Sequence, residues 1–335
     1  MVRADNPARR FAMAVTSSAT SRSPFTAAPV GRLRATWRQL VATRSLFLMF
    51  LPGLLLLVVF EYGPMYGLLI AFKDYRLTEG VWASPWVGLA HFQELFGDDV
   101  AVNVLKNTLI ISILKLLWGL PAPIILALLI NEARAGLFKR FVQSVSYLPH
   151  FISWVILGSL VYSLLSPSTG MVNLVLKAIG IEPVYFMTEE GWFRPILVAS
   201  SIWKEVGWGT IIYLAALAGI SIELYEAAVI DGASRLQRMR DISLPSIMPV
   251  VGIVTVLSLG GILNAGFDQV FNLYNPRVYE VGDIIDTYVY RLGLIDFQYS
   301  FTTAVGFFKS VVGFILILIA NFIARKVSDG RYGLW

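Results

Sequence analysis

Cysteine is absent from the 335 residues, and histidine occurs only twice, as His91 and His150. The first absence excludes a disulfide framework and any thiolate metal site. The second, with no HExxH pattern, leaves no histidine-rich metal centre to propose. Each histidine is expected to be a polar interface residue. Charge is scarce too, at 15% against 56% hydrophobic residues, where a soluble domain carries about a quarter. That is too little to cover a water-exposed surface. No GxxxxGK[ST] phosphate loop and no GxSxG motif occurs, so neither nucleotide hydrolysis nor intramembrane hydrolase chemistry falls to this chain. A net charge of +5 would suit nucleic acid, but it is distributed along a membrane topology, and no nucleic-acid partner is expected.

Apolar sequence is present in quantity, in runs of about twenty residues, the length that crosses a bilayer as a helix. Six segments qualify, near 46–70, 103–130, 141–166, 193–219, 246–271 and 302–324. The fold class that follows is an all-α polytopic membrane protein with six transmembrane helices and both ends on one side. Lysine and arginine identify that side, because cytoplasmic segments carry their excess. The tail 1–45, the loops 131–140 and 220–245 and the tail 325–335 outweigh the other side by 17 to 7. Both termini are therefore expected in the cytoplasm. Residues 1–45 hold eight arginines and one acid. They read as a flexible cytoplasmic tail that resembles a transit peptide in composition and is not a secretory signal. Residues 46–335 form the membrane domain.

Two outer connections are more than linkers. In 86–96, WVGLAHFQELF, Trp86, Leu89, Phe92 and Phe96 fall near one helical face, either at the outer interface or packed over the bundle. Residues 272–301 contain five tyrosines and the acids Glu280, Asp283, Asp286 and Asp296. They are expected to fold back into a pore mouth or to meet an extracellular partner.

Five ionisable residues fall inside the spans: Lys115, Lys204, Glu205, Asp268 and Lys309. Each costs about 2.5–3.5 kcal/mol at mid-bilayer on insertion scales, so each is expected to face the bundle interior, a watery cavity or another charge. Lys115 precedes Gly119, Pro121 and Pro123, which should kink its helix. Trp203, Glu205 and Trp208 combine flat apolar faces with hydrogen-bonding groups. Asn264, Asp268 and Asn272 recur every four residues, as on one helical face. Sugars need this mixture, aromatic faces for the ring and polar groups for the hydroxyls, although polar glue between helices is the plainer use. Three in-span lysines against two acids would make a common pathway mildly cationic and suited to carboxylated sugars. The alternative is that Lys204 and Glu205 snorkel from a helix end.

The segment EAAVIDGASRLQRMRDISLP, 226–245, carries six charges between two apolar runs. SIELYEAAVID reads as a helix with Glu223 and Glu226 favourably early. Gly232 permits a sharp bend, Asp231 and Arg235 have i, i+4 spacing, and Pro245 suits the first turn of the next span. Two short helices with a bend between them are expected.

Glu226-Ala227-Ala228, three residues, Gly232, nine residues, then Ile242-x-Leu244-Pro245 resembles the EAA loop of binding-protein-dependent ABC import permeases. The resemblance covers roughly 45–335. NTLIISILKLLWGLPAPIILALLINE, IWKEVGWGTIIYLAALAGI and GFDQVFNLYNPRVYEVGDIIDTYVYRLGL resemble the carbohydrate-uptake, maltose-permease-like branch. Within it they are most similar to importers of complex oligosaccharides, including uronate-containing alginate or xylan fragments. Unlike the maltose-system permease, the chain is expected to have no extra N-terminal spans and no large periplasmic domain.

The resemblance implies a cytoplasmic coupling loop in which Glu226 contacts an ATPase subunit, Ala227 and Ala228 pack in its cleft, and Gly232 makes the bend. It implies a multi-pass protein of the bacterial plasma (inner) membrane, in lipid, with a second homologous permease, two ABC ATPase subunits and an extracellular or periplasmic sugar-binding protein. No cofactor or metal is expected on this chain, ATP and Mg being used by the ATPase. An ion-coupled secondary sugar transporter using Asp268 is the rival reading, but it has no need of the loop.

Overall fold

The computed structural model describes residues 43–134 and 136–327. Residues 1–42 of the expected tail 1–45, and residues 328–335, lie outside them. The chain divides into two compact units, Met1–Tyr66 and Gly67–Trp335. In the first, α1 (Arg44–Leu57) runs on through a π turn at Val58–Tyr62, and Leu48, Met49, Phe50 and Leu55 on it are exposed. The second unit holds the bundle.

Four helical stretches are long and apolar enough to cross a membrane: Arg44–Phe72, Asp99–Glu132, Arg235–Gly260 and Tyr299–Ile323. Two bent pairs bring the number to six when each pair is taken as one span. Leu137–Phe151 with Trp154–Leu165 turns by 107°, and Glu190–Ala218 with Ile222–Ile230 by 75°. The third span is therefore not the continuous helix expected over 141–166. Among the described residues the β-pairing is an isolated antiparallel bridge between Lys73 and Trp86.

In the second unit α2 (Ala90–Gly97) precedes α3 (Asp99–Gly119). Asp98 starts α3 by accepting from the Val100 amide at 2.9 Å, which satisfies one of its orphan donors. Leu120 alone separates α3 from α4 (Pro121–Glu132), with Pro121 at its first turn, where no amide donor is needed. Next come α5 (Leu137–Tyr147), a 3₁₀ turn at Leu148–Phe151, α6 (Trp154–Leu165) and α7 (Met171–Ala178). The central helix is α8 (Glu190–Ala218), followed by α9 (Ile222–Ile230). A helical turn at Arg235–Arg238 and a π turn at Met239–Ser243 lead into α10 (Leu244–Gly260). Then follow α11 (Phe267–Leu273), α12 (Ile285–Tyr290) and α13 (Tyr299–Val327).

Three apolar clusters hold this unit. One joins Phe193 and Leu197 of α8 to Val270, Leu273 and Ile284; a second joins Leu95, Val104, Ile285 and Val305; a third joins Ala127, Tyr213 and Ile247. Where these clusters lie within the bilayer they gain from close packing rather than from leaving water, because lipid tails are as apolar as the side chains. α2 packs on α13 through Leu95 and the contacts Phe92–Phe307 and Phe96–Phe308. Trp86 and Leu89 lie before the helix, not on its face. Trp86 stacks on Phe72 at 5.7 Å instead.

Candidate functional site

The corner in the third span is held from α8. Beyond it the carbonyls of Pro149, His150 and Ile152 point at Lys204, whose Nζ donates to them at 3.3, 2.6 and 2.6 Å. Lys204 is 7% exposed and lies midway along α8, so it does not snorkel from a helix end. His150 stacks flat on Trp208, with 4.5 Å between ring centres, and its Nδ1 lies 2.8 Å from Glu205 Oε2. Gly207 permits this contact. A Cβ there would sit 2.0 Å from the Ser146 carbonyl oxygen. Trp203 is elsewhere: five residues turn a helix about 140° past a full circle, so it lines an apolar recess with Val161, Leu164 and Ile196 while Trp208 meets His150.

The expected polar face of 264, 268 and 272 is broken. α10 stops at Gly260, residues 261–266 are not helical, and Gly266 has φ +91°, a left-handed backbone that favours glycine. Asn264 therefore sits on unwound chain, with only Asp268 and Asn272 on α11. Non-helical backbone at membrane depth is tolerated where it is buried in protein or lines a watery cavity. Asp268, Asn272, Lys204, Trp154 and His150 line a cavity of about 580 Å³.

Lys115 on α3 donates to the Ala265 carbonyl at 2.5 Å and to Gln269 Oε1. Gln269, 2% exposed, passes its amide protons to the Leu197 carbonyl at 2.7 Å and Ser200 Oγ at 2.8 Å. This glutamine joins α3, α8 and α11. The sequence reading passed over it, although an amide in so apolar a run was the available signal. Lys115, Ser112, Ser258 and Asn264 line a cavity of about 220 Å³.

Lys309 on α13 is paired with Asp286 at 2.5 Å, beside Asn264 in a cavity of about 480 Å³. Asp286 was expected in an outer connection. Its presence here corrects the charge count: three lysines now face three acids, Glu205, Asp268 and Asp286. The connection itself folds into the bundle. Asn103 and Asn107 donate to the Glu280 carbonyl at 2.7 and 2.8 Å, and Arg194 donates to the Val281 carbonyl at 3.0 Å. Asp283, buried, pairs with Arg291 at 2.5 Å. Burial works against the Arg291 charge, but Asp283 outweighs it and raises the pKa. Burial pushes Tyr274 up to about 12, and burial followed by its bond to Asp98 raises Tyr288. These groups keep one protonation state at physiological pH.

At the other site, Ser221 caps α9 by accepting from the Glu223 amide at 3.3 Å. Its end is closed by Ala233 N donating to the Ala228 carbonyl at 2.9 Å and Gly232 N to the Val229 carbonyl at 3.1 Å, with Gly232 at φ +79°. This is the paired-bond glycine cap. Glu226 and Ala227 are exposed, as are the apolar Ile222, Leu224 and Ile230, while Ala228 is half-buried. Two expectations fail. The chain beyond Gly232 is helical from Arg235 to Gly260 rather than a second short helix, because the π turn absorbs the approach to Pro245. Asp231 and Arg235 end up on separate helices, so the i, i+4 contact does not form. Ile242 and Leu244 are half-buried, and Pro245 is exposed. Tyr225 and Ser243 hydroxyls, 2.8 Å apart, tie α9 to the next helix. Among the described residues no three His, Asp or Glu side chains converge as a metal site.

Comparison with known proteins follows this geometry. Residues 119–329 match the model of the binding-protein-dependent transport system inner membrane component. Protein LplB of Bacillus subtilis (strain 168) is 47% identical, over 85% of this chain and 89% of its own. The polygalacturonan/rhamnogalacturonan transport system permease protein YteP of the same organism is 46% identical, over 87% and 91%. A chain of a bacterial ABC transporter involved in the import of the acidic polysaccharide alginate superposes with a TM-score of 0.82 and 44% identity, covering 88% of this chain and 99% of that one. The exposed capped helix and Lys204, Asp268 and Lys309 fall within the matched residues, and the chain belongs to the binding-protein-dependent transport system inner membrane components.

Proposed function

We propose that this permease of a sugar ABC importer carries uronate-containing oligosaccharides, driven by ATPase subunits that dock on α9. The observation that carries the substrate reading is the set of polar cavities around Lys115, Lys204 and Lys309 in a chain 46% identical to a polygalacturonan/rhamnogalacturonan permease and 44% identical to a chain of an alginate importer. The docking reading is supported by the exposed Glu226 and Ala227 on a helix capped at both ends, with Gly232 fixing its exit. Carried over from the resemblance, ATP and Mg belong to two ATPase subunits, and a second homologous permease completes the pathway. A sugar-binding protein delivers the ligand; a similar solved structure is in complex with an alginate pentasaccharide-bound periplasmic protein. The excess of basic residues supports cytoplasmic termini.

The test is uptake by proteoliposomes holding the whole importer, with the binding protein supplied outside and ATP inside. Uronate oligosaccharides are expected to be taken up faster than neutral ones of equal length. Equal or faster uptake of the neutral sugars removes the acidic-substrate reading, and uptake without ATP removes the ABC mechanism.

A further inference from the structure

Three lysines face the pathway, yet their donors are committed differently. An ammonium has three protons to give. Lys204 gives all three to the carbonyls of Pro149, His150 and Ile152. Lys309 faces a carboxylate of its own chain, Asp286. Lys115 gives two, to the Ala265 carbonyl and Gln269 Oε1, both neutral acceptors. Among the described residues it has no ion-pair partner. A cation out of water without a counter-charge is costly, and this one keeps a proton in reserve.

Its surroundings supply the rest of an anion site. Ser112 lies one helical turn before Lys115 on α3, and its hydroxyl is buried without a hydrogen-bond partner. A buried hydroxyl in that state forfeits what a bond would return. Both residues line the same cavity, across from Asn264 on the unwound chain. Gly261 and Asn264 also line the cavity containing Lys309 and Asp286, so the space at Lys115 borders a wider polar one.

From this donor account, and resting on the uronate reading above, we infer that Lys115 with Ser112 is the subsite that recognises the sugar's carboxylate, and that Lys204 and Lys309 are not. One carboxylate oxygen takes the free Lys115 proton, the other the Ser112 hydroxyl, and Asn264 meets neighbouring hydroxyls. Charge-assisted bonds of this kind are the stronger class. Lys204 then serves as a positioning residue for the corner of the third span, and Lys309 as half of an internal pair.

The experiment measures uptake of a galacturonate trisaccharide and of its carboxyl-reduced, neutral counterpart by the complete importer in proteoliposomes. Lys115→Met is expected to lower the acidic-to-neutral uptake ratio by about tenfold or more. Lys115→Arg should restore most of the preference, and Ser112→Ala should lower acidic uptake by roughly threefold or more. Lys204→Met and Lys309→Met should change both sugars by a common factor. If Lys115→Met fails to assemble, Lys115→Gln, which keeps donors without charge, carries the same comparison. An unchanged acidic-to-neutral ratio in either charge-removing variant overturns the assignment, as does collapse of the ratio in Lys309→Met. A wild-type importer with no preference overturns the substrate reading too, and shows it before any variant is made.

Discussion

The elbow around α9 and the polar belt around Lys115, Lys204 and Lys309 both place charge beside apolar helices, but their bonds reach over very different distances in sequence. At the elbow, the Ser221 cap spans two residues, the bonds closing at Gly232 span three and five, and Ser234 and Gln237 complete a capping box. In the belt, Lys115 reaches 150 residues to Ala265 and 154 to Gln269, and Lys204 reaches back 52 to 55. Local bonds let a short helix keep its shape while presenting its sides to another protein. Long-range bonds make the belt a property of the assembled bundle, and each donor there is committed by the packing around it.

The largest expected effect breaks the elbow and spares the belt. Gly232→Pro places a residue locked near φ −65° where the backbone has φ +79°, and removes the amide that bonds Val229. ATP-driven uptake should be lost while the membrane-inserted protein remains at wild-type level. Full uptake by this variant would leave the elbow without a coupling role. The belt is struck next by Gly207→Ala, whose Cβ meets the Ser146 carbonyl. Overpacking against backbone costs about 1–3 kcal/mol or more, read as a lowered midpoint of thermal unfolding in detergent; an unchanged midpoint would refute the close backbone approach.

Lys204→Met sharpens the contrast by leaving carbonyls at the corner unmet, at about 1–3 kcal/mol for each buried one not reached by water. Its signature is lost thermal stability with sugar preference intact, whereas Lys115→Met, which strips the Ala265 carbonyl and Gln269 of a donor, changes the preference as well. Smallest is Ser221→Ala, about 1 kcal/mol. It should speed amide hydrogen exchange in the first turn of α9 and leave exchange at Gln269 and its neighbours unchanged. Equal acceleration in both places would mean that the two regions open together.

The same difference in range explains what could be read in advance. α9 was legible locally, because a glycine spaced after EAA and early acids are local signals, although its cap, Ser221, was not singled out. The spans were legible as apolar lengths. Their interruptions were less so: Pro149 is a local sign of a break, but the 107° corner is held by Lys204, some fifty residues away. Periodicity misled at 264–272, since Gly260, Gly261 and Gly266 unwind the helix on which the four-residue spacing relied. Charge counting misled for a related reason. Asp286 lies in a connection by hydropathy, and only tertiary packing brings it to Lys309. Gln269 carries no motif, although it joins three helices.

One consequence follows from Gly207. Where α8 crosses α5, main chain lies directly against main chain, so no springy side-chain layer separates the two rods. The far end of α8 passes through a 75° turn into α9. Tightly packed protein compresses little, so torque applied to α9 would travel along that rod and arrive nearly undamped at the corner beside His150 and Trp154, where one wall of the cavity shared with Asp268 and Asn272 would swing.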